Sequence, residues 1–327
     1  MQSGKTNPVG LVGLGLMGRG IAACLIAHGF SVVSYNRSHE KAHLAREQID
    51  DTLDELIRRK VLTRAKVRGW WRRFSYVHTP AELAPCPFVI ESLREDLKVK
   101  RELYDQLEAI TAPDAVIASN TSSFPVAQLS EGRKHPERFL VMHWAEPAWI
   151  TRFMEIVRAP HTSDEAVRRA EEIALACDKE PSILNFDIRG FITNRLMYAF
   201  IREACYLVDI GAATPEMVDR SFRNDVGWWA ALAGPFRWMD LTGIHSYGAV
   251  MEGLLPELSN RKELPKIMQE MMKKGAKGTA NRTGFYPYDE KSAKAWEEVW
   301  VDFTYDIRNL VKKHEKSLQA RSKRRAH

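Results

Sequence analysis

The chain has little cysteine and no paired cysteine spacing. Its four cysteines, Cys24, Cys86, Cys177 and Cys205, are scattered, with no CxxC among them. That pattern argues against a disulfide framework and offers no metal-ligand spacing; it reads as reduced, mostly buried thiols of a cytoplasmic protein without a metal. No apolar run of membrane-spanning length is present. The most apolar stretch, Val9 to Phe30, is Gly-rich and is broken by Arg19 and His28. The opening residues MQSGKTNP lack the apolar centre of a secretory signal. There is no repeat, no low-complexity block and no recognisable nucleic-acid-binding module. The expectation is a soluble protein without a membrane or nucleic-acid partner.

What is present suits a folded chain of two domains. The 327 residues are 45% hydrophobic, enough for an ordered core in each half, and 28% charged, as in soluble globular proteins. The net charge of +6 is concentrated in RRKVLTRAKVRGWWRRF, from Arg58, and in the closing KHEKSLQARSKRRAH. The closing run reads as a solvated, frayed end.

VGLVGLG is a short apolar run that stops in glycines, a buried strand entering a tight turn. Helical spacing follows from Leu16 to His28, then a strand, SVVSYN, then a charged helical region from His39 to Arg73. FVIESL, AVIASN and FLVMHW read as further strands, with a helix carrying Lys98, Lys100, Arg101, Tyr104 and Leu107 after the first of them. Strands alternating with helices predict a doubly wound parallel sheet of the Rossmann type. Beyond Phe186 strand signals fade, and helices are predicted over 191–210, 215–223, 236–253, 264–275 and 292–313. The expected division is an α/β dinucleotide-binding domain over 1–187 and an all-α domain over 188–327, which completes a substrate cleft and forms a dimer.

Gly13-x-Gly15-x-x-Gly18 lies between the first strand and the first helix. Gly13 permits the turn, Gly15 lets the backbone approach a pyrophosphate, and Gly18 lets helix and strand pack closely. Phosphates then meet the N–H groups of the helix start, at Leu16 and Met17. Where an acidic residue would bind the ribose of NAD, this chain has Asn36-Arg37-Ser38. With no carboxylate to repel a 2′-phosphate, NADP(H) is permitted and on charge alone preferred. Alternatively, Asn36 still bonds the ribose of NAD(H) and Arg37 is a surface residue.

From SNTSS onward, the chain resembles the 3-hydroxyacyl-CoA dehydrogenase family, including its carnitine, gulonate and diketo-acid relatives. GLGLMGRGIA, IESLREDLKVK, SNTSS, MHWAEP with MEIV, GFITNRL, AGPFRWMDLTG and GFYPY carry the resemblance in one order, over about 9–288. It implies an NAD-linked oxidoreductase of fatty-acid metabolism, acting on a 3-hydroxy or 3-keto substrate. It makes His143 the general base and Glu155 its support. This suits an imidazole, which titrates near neutral pH and whose tautomer a carboxylate can fix. Ser122 and Asn194 match substrate-side hydrogen bonders. Glu95 and Lys98 match positions beside the nicotinamide ribose, and Asn120 belongs to the same cofactor region. A homodimer through the helical domain is also implied; Trp228, Trp229, Phe236, Trp238, Tyr247, Phe285 and Tyr286 are candidates for its core or interface.

Departures concern the substrate. The family commonly reads His-Phe-Phe-Asn-Pro where this chain has His143-Trp144-Ala145-Glu146-Pro147. Glu146 would repel an anionic substrate group, pair with a cationic one, or turn toward Arg152. The Arg58–Arg73 stretch, with Trp70 and Trp71, could hold CoA by charge and stacking, or could be a solvated helical face. The first expectation is a 3-hydroxyacyl-CoA substrate. The alternatives are a free hydroxy or keto acid and, outside enzymology, a non-catalytic dinucleotide-binding protein.

Overall fold

The computed structural model describes residues 7–325. Its strands are β1 (Val9–Val12), β2 (Val32–Tyr35), β3 (Phe74–Val77), β4 (Phe88–Glu91), β5 (Val116–Ser119), β6 (Phe139–Trp144), β7 (Phe153–Val157) and β8 (Glu180–Leu184). They form one eight-stranded sheet in the order β3-β2-β1-β4-β5-β6-β7-β8. All neighbours are parallel except β6 and β7. β1, β4 and β5 are buried at every position, as strands covered on both faces must be. Around them lie α1 (Leu16–Ala27), α2 (His39–Arg58), α3 (Arg64–Val67), α4 (Leu97–Ile110), α5 (Val126–Leu129) and α6 (Asp164–Ala176).

The predicted doubly wound sheet is therefore present, with an antiparallel pair that the sequence did not reveal. β3, β7 and β8 were not anticipated. FSYV hides behind a basic run, and β8 is largely exposed (burial falls only on Leu184 among its clearly inward residues), so neither shows a long apolar signal. The charged region after His39 is not one helix. It ends at Arg58, resumes for one turn in α3, and closes in a short 3₁₀ turn over Trp70–Arg72 after Gly69, whose φ is +71°.

The chain divides into compact units at Asn194/Arg195, where the sequence suggested 187/188. The second unit is helical: α7 (Thr193–Asp209) continues into it, followed by α8 (Pro215–Asn224), α9 (Val226–Ala230), α10 (Gly234–Thr242), α11 (Ile244–Leu254), α12 (Lys266–Lys273) and α13 (Glu290–Arg325). The helix expected over 236–253 is two, broken at Gly243 with φ +115°. Asp209 ties α7 to the α12 start by accepting from the Lys266 and Ile267 N–H groups, each at 3.0 Å, and by pairing with Arg261. The closing basic run is not frayed as expected: α13 carries helix through it to Arg325. The expected signal-free N-terminus, through residue 6, and the last two residues lie outside the described residues. Among the described residues, no helix is long and apolar enough to cross a membrane.

Candidate active site

The sheet brings the glycine turn, Asn36, Asn120 and His143 to the carboxyl edge of β1, β2, β5 and β6. Open α/β sheets bind ligands at this edge, where strand order reverses. Gly13 has φ +97°, and a Cβ there would lie 2.4 Å from the Ser92 carbonyl oxygen. A Cβ on Gly18 would lie 2.0 Å from the Gly13 carbonyl oxygen. Only glycine fits at either position. Gly15 differs: a Cβ there would meet nothing within 4 Å, which leaves open space beside the backbone. No side chain caps α1, so the N–H groups of its first turn, at Leu16, Met17 and Gly18, are left for an anion. These features fit a dinucleotide pyrophosphate.

Asn36 follows β2 and serves the turn itself. Its Oδ1 accepts from the Leu14 N–H at 3.2 Å, and its Nδ2 donates to the Ser38 carbonyl at 3.2 Å. Arg37 is exposed. Asn120 also bridges the strand ends. Its Oδ1 accepts from the Trp144 N–H at 3.0 Å and its Nδ2 donates to Ser92 Oγ at 3.2 Å. Glu95 clamps the segment after β5, accepting from Thr121 Oγ1 at 2.8 Å and from the Ser122 N–H at 2.9 Å. Lys98 is exposed on the first turn of α4.

The antiparallel pairing sets His143 on β6 directly across from Glu155 on β7. His143 Nδ1 lies 2.9 Å from Glu155 Oε2. Oε1 accepts the backbone N–H groups of Ile192 and Thr193 at 3.0 and 2.8 Å, at the start of α7. Glu155 is 1% exposed. Burial pushes its carboxyl up, but the bonds from His143 and the Thr193 N–H outweigh it and hold the group below its ordinary range. By sign, a depressed carboxyl stabilises the fold above the ordinary carboxylate range and loses that contribution as pH falls through its folded value. At neutral pH Glu155 is ionised. Phe153 and Phe191 pack on the imidazole, at 5.3 and 5.6 Å between ring centres. Asn194, next to Thr193, donates from Nδ2 to the Ser122 carbonyl at 3.2 Å. Hydrogen bonds thus link Ser122 to Asn194, and those of the neighbouring Thr193 reach Glu155 and His143.

Glu146 is solvent-exposed by area, yet desolvation by surrounding protein raises its carboxyl. The Glu146-Pro147 peptide is cis. Arg152, a sequence-stated partner for Glu146, pairs with Glu180 at 2.5 Å. The basic stretch is partly neutralised by α2: Arg64 pairs with Asp54 at 3.3 Å, Arg59 with Glu55 at 4.0 Å, and Trp70 Nε1 donates to Asp50 at 3.0 Å. Trp71 is exposed.

One group escaped sequence reasoning. Glu91 ends β4, fully buried, and accepts from Lys100 Nζ, Tyr104 OH and Ser119 Oγ, each at 2.7 Å, and from the Leu93 N–H at 2.6 Å. Lys100 also approaches Glu95 at 3.6 Å, joining this network to the clamp on Thr121 and Ser122. The available signal was Lys100 lying on the same helical stripe as Leu103, Tyr104 and Leu107, a cation on a buried face.

Comparison with known proteins decides the family. A family model described as "3-hydroxyacyl-CoA dehydrogenase, NAD binding domain" matches residues 8–186, and one described as "3-hydroxyacyl-CoA dehydrogenase, C-terminal domain" matches 190–288. The chain belongs to the 3-hydroxyacyl-CoA dehydrogenase family. It is an oxidoreductase with an NAD-binding domain. A probable 3-hydroxybutyryl-CoA dehydrogenase of Deinococcus radiodurans is 32% identical over 282 residues, 85% of this chain and 99% of the relative. The 5-formyl-3-hydroxy-2-methylpyridine 4-carboxylate 5-dehydrogenase of Mesorhizobium japonicum is 28% identical, over 94% of this chain and 99% of its own. A crystal structure of an enzyme of that second name, described as an NAD+ dependent dismutase, superposes with TM-score 0.87 at 25% identity, covering 94% of this chain and 98% of that one. The (S)-3-hydroxybutyryl-CoA dehydrogenase PaaH1 from Ralstonia eutropha gives TM-score 0.73 at 29% identity, over 86% and 99%.

Proposed function

We propose that this chain moves a hydride between NAD(H) and the carbon of a CH–OH or C=O group, with His143 exchanging the proton of the oxygen. The contact of His143 Nδ1 with buried Glu155 at 2.9 Å carries this reading. With Nδ1–H held by the carboxylate, Nε2 is the nitrogen left for the substrate oxygen. In oxidation Nε2 takes the hydroxyl proton; in reduction the imidazolium returns it, and Glu155 stabilises the charged ring in both directions. The Ser122 hydroxyl and the Asn194 amide hold the reacting oxygen. When bound, the nicotinamide supplies the hydride donor or acceptor. Gly13, Gly15 and Gly18 shape its phosphate site, Asn36 and Asn120 fix the surrounding turns, and Glu95 positions the Ser122 segment. No carboxylate follows β2, so NADPH is accepted beside NADH, with Arg37 at the 2′-phosphate.

For the substrate we favour a hydroxy or oxo acid, or an aldehyde, not carried on CoA. Carboxylates of α2 blunt the basic stretch that would hold CoA, and the superposition with the pyridine-carboxylate dehydrogenase extends over more of this chain than that with PaaH1. A CoA thioester is the second reading, favoured by the 32% identity to the Deinococcus relative. The test is kcat/KM by loss of reduced-cofactor absorbance, with acetoacetyl-CoA against free 3-oxo acids and aromatic aldehyde acids, each with NADH and NADPH. Preference for a free acid or aldehyde is expected. A kcat/KM at least tenfold higher for acetoacetyl-CoA, lost on neutralising Arg64 and Arg72, would reverse the choice. An NADPH/NADH ratio near zero would overturn the dual cofactor use.

The reduced cysteines suit a cytoplasmic enzyme. The helical unit exposes large apolar side chains in succession: Trp228, Phe236, Leu241 and Ile244 are each more than 60% exposed. Such a face is costly in water, and a second copy is the occupant we assign to it. Sedimentation should give a dimer, and Phe236→Asp should dissociate it. A monomeric wild-type protein at micromolar concentration would refute the assignment.

A further inference from the structure

Away from the carboxyl edge, the first unit gathers three soft donors that the sequence showed as unrelated. Cys24 and His28 are one helical turn apart at the C-terminal end of α1, so they share a face. Cys177 closes α6. One ligand atom from each residue lies within 4.8 Å of the others. Cys24 Sγ stands 3.8 Å from His28 Nδ1. Both cysteines are buried, at 0% and 2% exposure, while His28 is only partly covered and leaves an ion a way in.

We propose that Cys24, His28 and Cys177 form a binding site for a thiophilic divalent cation of the zinc type. Tetrahedral zinc holds sulfur at about 2.3 Å and nitrogen at about 2.0–2.1 Å, which spaces the donors roughly 3.5–3.8 Å apart. The triad therefore needs to close by about 1 Å at most. Two thiolates and an imidazole select zinc over magnesium or calcium, which take oxygen donors. The charges also balance. Two thiolates offset a divalent ion, and Asp178 offsets Lys179, which is buried and donates to the carbonyls of Ala148 and Thr151.

The surroundings favour the ligand form of the sulfur. The hydrogen bond from Cys177, then Lys179 and His28, bring the Cys24 thiol well below its ordinary range against the opposing effect of burial. His28 Nδ1 lies 2.8 Å from the Cys24 carbonyl oxygen. A metal at Nε2 keeps that bond, the arrangement usual for ligating histidines; a metal at Nδ1 displaces its proton. Either leaves one nitrogen for the ion, and water fills the fourth position. α1 is 12 residues long, about 18 Å, and its other end faces the glycine turn. The ion would thus fasten the far end of the nucleotide-binding helix to the α6–β8 junction, apart from the chemistry of His143.

Reduced, metal-free protein is titrated anaerobically with Co²⁺, and Zn²⁺ is then added. One equivalent of Co²⁺ per chain should produce a thiolate-to-cobalt charge-transfer band that Zn²⁺ abolishes. Cys24→Ser and Cys177→Ser should each lose the band while still binding NADH, which reports that the fold is intact. Should a variant not fold, X-ray absorption of the zinc-loaded wild type decides: a shell with two sulfurs supports the site. No band in the wild type, a band retained in both variants, or a shell of oxygen and nitrogen alone overturns it.

Discussion

His143→Ala is expected to lower kcat by about 10²–10⁴-fold, the usual worth of a positioned acid–base group. NADH affinity should stay within about twofold, because the cofactor contacts assigned above come from the glycine turn and the ends of β2 and β5. Steady-state kinetics together with fluorescence titration of NADH separate the two effects. Glu155→Gln should fall between wild type and His143→Ala. The amide can still accept from the Ile192 and Thr193 N–H groups, but it cannot stabilise an imidazolium at 2.9 Å as a carboxylate does. Full activity in either variant would remove the dyad from the mechanism. The pH dependence carries a sign as well. Glu155 is held below its ordinary range, so it stays ionised through the acid limb of the rate profile; that limb reports another group.

The second large effect concerns stability. Lys100→Met leaves the Glu91 carboxylate buried without its cation, and breaking such a pair costs about 3–5 kcal/mol. Stabilities of folded chains are roughly 5–15 kcal/mol, so this is a large share, and Tm should drop by roughly 10 °C. The double variant Glu91→Gln, Lys100→Met should recover part of the loss, because it removes the stranded charge. Calorimetry of the three proteins tests this. An unchanged Tm in Lys100→Met would mean that the ion pair in this network contributes nothing net. Through Glu95, the same substitution should also loosen the Ser122 segment and raise KM for the substrate.

These two sites were not equally legible in the sequence. The glycine turn is written in consecutive residues, and a positive φ at Gly13 or a close approach at Gly18 demands glycine whatever the rest of the fold does. His143 and Glu155 were readable because they sit in motifs that the resemblance carried. The β6–β7 pairing that sets them face to face was not, because β7 follows β6 after a short turn and its direction leaves no periodic mark. Glu91 and Lys100 each read as ordinary charges. Only tertiary packing puts both carboxylate and ammonium in the interior, where each needs the other. Cys24 and Cys177 stand on elements at opposite ends of the first unit's sequence, and no spacing rule links them. The basic stretch misled for the opposite reason: its arginines are conspicuous, while the α2 carboxylates that answer them lie one helical face away.

The account's central claim is direct hydride transfer to a carbonyl carbon with proton delivery from His143. Turnover of 4-deuterated NADH with the best carbonyl substrate, followed by mass spectrometry of the product, tests it most directly. The prediction is one deuterium on the carbinol carbon, with the label absent when His143→Ala abolishes turnover. Cofactor oxidation whose deuterium is found in water and not on the product would contradict it.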